Sequence, residues 1–119
     1  MPTDPRRFLP LRPVELLVLV ALAEEEAHGY GLTQSIADRT DGAVRLEPGN
    51  LYKVLKRLAA DGLIQASGRR PVSALDDERR RYYRLTRLGE RVAAAEAARL
   101  RALVSLPAIR TLTERFGSA

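Results

Sequence analysis

Asn50, Lys53 and Arg57 are spaced by three and four residues, so a helix would place all three on one line. An amide and two cations arranged in this way can hydrogen-bond to phosphate oxygens and to the edges of bases. Lys56 lies in the same segment, and Arg69, Arg70, Arg79 and Arg80 follow in a later polar stretch. Tyr30 and Tyr52 carry hydroxyls that could reach phosphate, although half-buried tyrosines with wetted tips have the same signature. Each of these groups also has a plainer reading. Lys53 and Arg57 could keep a surface solvated, and Asn50 could bind phosphate or adenine or simply cap its helix. Arg6 and Arg7 could reach a minor groove or belong to an ordinary tail.

The charge is concentrated. The 119 residues carry 20 basic and 15 acidic side chains, but the window Arg45–Arg91 holds 12 of the basic against 6 of the acidic. A surplus confined to one window points to a polyanion-facing surface on a nearly neutral scaffold. The chain has no cysteine, which excludes a disulfide framework, a Cys-ligated zinc site and a thiol nucleophile. His28 is the single histidine; Glu24 lies four residues before it, but no third metal ligand is evident and no nucleophile accompanies it. No metal, cofactor or enzymatic activity is therefore expected. The longest apolar stretch, Leu16–Ala23, is well short of the ~20 residues that span a bilayer. The start, Met1-Pro2-Thr3-Asp4-Pro5, is unlike a signal peptide. The expectation is a soluble cytoplasmic protein with no membrane contact.

The elements that must carry these residues are legible in outline. Residues 1–12 hold three prolines and three arginines and read as a flexible amino-terminal arm. Val14–Glu26 reads as an apolar, central helix started by Pro13, with Gly29 placed to end it. A short helix over Gly31–Arg39 turns inward Leu32, Ile36 and Ala37. Pro48 then starts a helix to Asp61, closed by Gly62; its core stripe is Leu51, Leu55 and Leu58, and the polar stripe lies about a third of a turn away. Leu63–Ala66 and Arg80–Leu85 fit two strands joined by an arginine-bearing hairpin, in which Tyr82 and Tyr83 should face opposite sides. Thr86 can cap a helix from Arg87 to Ser105, which Pro107 stops, with a short helical stretch to follow. This is a mainly α (α+β) fold, a winged helix-turn-helix over 13–86 with a carboxy-terminal dimerisation helix and tail over 87–119. Leu88, Val92, Ala93, Ala97, Leu100, Leu103 and Val104 are more apolar surface than one small domain can bury, so a two-fold homodimer is expected.

Four motifs in order carry a family resemblance: His28-Gly29-Tyr30-Gly31; Pro48-Gly49-Asn50-Leu51-Tyr52; Leu58 with Asp61-Gly62-Leu63-Ile64; and Arg79-Arg80-Arg81-Tyr82-Tyr83-Arg84-Leu85-Thr86 with Leu88-Gly89. Over about two-thirds of the chain the sequence resembles the PadR family of bacterial transcriptional regulators, in its short subgroup. The resemblance implies a winged-helix repressor acting as a homodimer, with effectors such as phenolic acids or drug-like aromatics in some members. Asn50 stands where the family usually has Ser or Thr, Lys53 where it often has Pro, and Pro71-Val72-Ser73-Ala74-Leu75 replaces a Gly-rich wing tip. The expected function is sequence-specific binding of double-stranded DNA at a palindromic operator. A winged-helix module that binds protein or RNA without operator specificity is the alternative.

Overall fold

Three helices meet on the aliphatic side chains of the first. The computed structural model describes residues 3–68 and 81–117. Helix α1 (Pro13–Glu24) is apolar around nearly its whole circumference, and only a helix enclosed by others can satisfy such a surface. Its Val18, Leu19, Ala21 and Leu22 are buried against Leu32 and Ile36 of α2 (Gly29–Arg39) and Leu51, Leu55 and Leu58 of α3 (Pro48–Ala60). Leu63, Ile64 and Val92 complete the core. Burying each of these leucines contributes about 1.5–3 kcal/mol.

Helix α3 stops where the sequence requires. Gly62 has φ +79, the left-handed conformation, and lets the Leu63 N–H donate to the Leu58 carbonyl at 3.0 Å while its own N–H donates to Ala59 at 3.1 Å. The chain leaves directly into β2 (Ile64–Ala66), which pairs antiparallel with β3 (Tyr82–Leu85) in the register Ile64 to Leu85 and Ala66 to Tyr83. A third strand, β1 (Ala27–His28), pairs antiparallel with the other edge of β3, giving the order β1-β3-β2.

That third strand corrects the expected end of the first helix. Helix α1 ends at Glu24, because Ala27 and His28 are extended to pair with Tyr83 and Tyr82, and Gly29 opens α2 rather than closing α1. The His28 Nδ1 accepts a hydrogen bond from the Gly31 N–H at 3.1 Å, capping α2. Arg39 at the far end of α2 pairs with Glu24.

Thr86 caps α4 (Arg87–Val104) as its position implies, accepting from the Gly89 N–H at 3.0 Å. The same hydroxyl donates to the Gly62 carbonyl at 2.7 Å and so joins the start of α4 to the end of α3. Pro107 begins a separate ten-residue helix, α5 (Pro107–Phe116). The amino-terminal segment differs from the free arm expected for residues 1–12. Pro5–Phe8 forms a 3-10 turn capped by Asp4, and Phe8, Leu9 and Leu11 rest against the core. The anchor is Glu96 of α4, which is 1% exposed and accepts from the Leu11 N–H at 2.7 Å. A buried carboxylate needs donors, and the amino-terminal segment and Arg99 supply them.

Candidate nucleic-acid interface

Helix α3 divides its residues between two environments. Leu51, Leu55 and Leu58 are buried, whereas Asn50, Lys53, Lys56 and Arg57 are all exposed. The hydrophobic stripe thus fixes the rotation of the helix, and the polar stripe is presented outward as a consequence. Pro48 occupies the first turn, and Glu47 makes no side-chain hydrogen bond to the helix start. The amino end of α3, next to Asn50, therefore keeps backbone donors and the positive end of the helix dipole for an anion. Tyr52 is 53% exposed and Tyr30, in the first turn of α2, 75% exposed. Both side chains lie outside the core.

Beside the polar stripe runs an open groove of about 450 Å³. Its apolar wall is Pro13, Val14, Leu46 and Val54; its polar rim is Asn50, Lys53 and Arg57 with Arg12 and Glu15. The last two were not legible as site residues. Glu15 sits in the first turn of α1, 7% exposed, with one carboxylate oxygen accepting from the Arg12 N–H at 2.7 Å. Its other oxygen lies 3.9 Å from the Arg57 Nε. An acid in an otherwise apolar helix, three residues after its cap position, was the available signal.

The sheet supplies the base of the wing. Tyr82 and Tyr83 are both half-buried: Tyr83 packs on the core, and the Tyr82 ring stands edge-on to His28 with centroids 5.0 Å apart. Burial, with Tyr52 nearby, raises the Tyr83 pKa above the usual phenol value despite Arg81. Tyr83 therefore keeps its proton at neutral pH. Arg81 and Arg84 are exposed at this end of the molecule. Arg69, Arg70, Arg79 and Arg80 lie outside the described residues. Among the described residues no cluster of three potential metal ligands occurs, and no helix is long and apolar enough to cross a membrane.

The seven residues expected at a dimer face separate into two groups. Val92 is 0% exposed, and Leu88 and Ala93 pack on the same core, so these three serve their own domain. The reason is that the first half of α4 lies across α1 and the amino-terminal turn. Ala97, Leu103 and Val104 are exposed, and Leu100 is half-buried. Beyond them Leu106, Leu112 (56% exposed) and Phe116 (66% exposed) continue the apolar surface, and α5 buries none of its residues.

Residues 18–95 match the Transcriptional regulator PadR-like family. Transcriptional regulator Rv3488 of Mycobacterium tuberculosis is 40% identical over 76 residues, 64% of this chain and 64% of that protein. A PadR family transcription regulator from Clostridium difficile superposes with a TM-score of 0.65 at 22% identity, covering 87% of this chain and 96% of that one. Bacillus subtilis PadR in complex with operator DNA gives a TM-score of 0.60 at 23% identity, over 71% of this chain and 47% of that one. At these identities the two structures share the winged helix-turn-helix fold with this chain. With the match running from within α1 through α2, α3 and the strands into α4, the chain belongs to the PadR-like family of transcriptional regulators, DNA-binding proteins rather than enzymes.

Proposed function

We propose that the protein is a repressor that binds a palindromic operator as a homodimer, with α3 in the major groove. The observation that carries this reading is the exposed line of Asn50, Lys53 and Arg57 on a helix whose opposite face is locked in the core. In this reading Asn50, Lys53 and Arg57 read bases, while Lys56, Tyr30, Tyr52 and the wing arginines Arg69, Arg70, Arg79 and Arg80 hold phosphates. Residues 13–86 bind DNA and 87–119 pair the subunits. The exposed apolar surface of Leu103, Val104, Leu106, Leu112 and Phe116 supports that pairing. A ten-residue helix such as α5 is marginal alone in water and needs a packing partner. The structure of a related regulator on its operator supports the DNA partner. Release by a small aromatic effector is the part of the reading carried by the family alone; action in the cytoplasm follows from the transcriptional role.

Selection of bound duplexes from a random pool, followed by gel shifts, tests it. The expected product is a two-fold symmetric site whose log K falls by about 0.9 for each phosphate neutralised as log salt rises. Arg57→Ala should weaken operator binding by about 1–3 kcal/mol and relax one base pair in each half-site. Salt-insensitive binding, or no enrichment of any duplex, would overturn the reading in favour of a protein- or RNA-binding module.

A further inference from the structure

Arg57 is the exposed cation of the reading stripe that has a fixed counter-charge. Among the described residues its side chain has one ionic partner, Glu15, through the Nε at 3.9 Å. The two side chains differ sharply in freedom: that of Arg57 is 60% exposed and that of Glu15 9%. Glu15 is also held from the other side, because its second oxygen accepts the Arg12 N–H at 2.7 Å and so closes the first turn of α1. A nearly buried carboxylate held through one oxygen by the start of its own helix is a fixed reference point, whereas an exposed arginine otherwise samples many rotamers. The contact uses the Nε edge of the guanidinium. The terminal nitrogens, which form the fork that matches the two acceptors of a guanine edge, are left without an intramolecular partner among the described residues.

We infer that Glu15, nearly buried behind the reading stripe, is a specificity-determining positioning residue: it orients the Arg57 guanidinium for base reading and restrains it from serving as a loose phosphate contact. The inference rests on the reading of α3 as the DNA-contacting helix. Two effects follow from one contact. Pre-orientation reduces the rotamer freedom lost when the arginine meets its base, which favours the correct site. The adjacent negative charge lowers the attraction of Arg57 for any phosphate, which disfavours all other sites. Glu15 therefore widens the gap between operator and non-operator DNA from both sides.

The test uses two probes, the duplex selected by the wild-type protein and a shuffled duplex of the same base composition, titrated at several salt concentrations. Glu15→Gln keeps the volume and an amide oxygen for the Arg12 N–H but removes the charge. Its operator-to-shuffled affinity ratio should fall roughly tenfold, with shuffled binding strengthened and its salt dependence steeper. Arg57→Lys, an exposed change that keeps the charge and loses the fork, should lower the ratio comparably. Glu15→Gln added to Arg57→Lys should lower it little further. A helix-capping role alone would lower both affinities together, or the melting temperature with the ratio intact; either result overturns the inference, as does a full ratio in Arg57→Lys. If the wild-type protein itself shows no preference between the probes, the DNA reading has failed and the inference falls with it; a preference that survives Glu15→Gln removes the inference alone.

Discussion

Glu96 is a charged group placed where charge is costly, and its partners explain why it persists there. The hydrogen bond from Arg99 holds its carboxyl below the ordinary value of 4.5, the Leu11 N–H adds to this, and burial opposes both. A carboxylate with a depressed folded-state pKa stabilises the protein fully above about 4.5 and loses that contribution as pH falls through its lower folded value. The wild-type melting temperature should accordingly drop on acidification below this point. Glu96→Gln should melt at a lower temperature near neutrality and show a flatter profile in the acid range, measured by circular dichroism across a pH series. Identical slopes in the two proteins would show that other carboxylates, such as Asp4 and Glu24, carry the acid response. Glu96 was not legible as an anchor, because its donor Leu11 lies 85 residues away. Arg57, Lys53 and Asn50 were legible, because their spacing on one helix is a local property.

Elements meet closely where α4 starts. A Cβ on Gly89 would lie 2.1 Å from the Leu63 carbonyl oxygen and 2.6 Å from Leu85 Cδ1, so the helix can approach the strands only with glycine there. A Gly-to-Ala change inside an exposed helix normally gains up to ~1 kcal/mol. Gly89→Ala should instead destabilise by about 2 kcal/mol or more, because backbone must move to admit the methyl group. Urea unfolding measures the difference, and a gain in stability would show that α4 can slide away from β2. The Thr86 cap at this junction was visible in the sequence, since a cap is a contact between near neighbours. The close approach of Gly89 was not, because it depends on Leu63, which lies far away in sequence in the turn that leads into β2.

At the scale of the whole molecule the unpaired surface lies at the carboxy-terminal end. Leu112 and Phe116 are four residues apart on α5 and exposed, and no residue of that helix enters the core. Leu112→Glu with Phe116→Glu should leave the winged domain folded and convert the dimer proposed above to a monomer in sedimentation. Operator affinity should fall, and the salt slope should approach half its wild-type value as one subunit's phosphate contacts are lost. A variant that stays dimeric would place the interface elsewhere on the chain. Periodicity alone does not separate the apolar residues of α4: they share one helical repeat whether they meet their own domain, as Val92 does, or remain exposed, as Val104 does.

Properties set within a few residues could be derived without coordinates. These are the two faces of α3, its Gly62 stop, the Thr86 cap and the break at Pro107, because helical periodicity and capping act over one or two turns. Tertiary structure decided what depends on distant partners: the β1 strand that moves Gly29 into α2, the docking of Leu11 on Glu96, and the Glu15 carboxylate beside Arg57. Pattern specifies which face of an element is apolar. Only the assembled chain specifies what that face meets, since such contacts join residues whose separation in sequence carries no periodic trace.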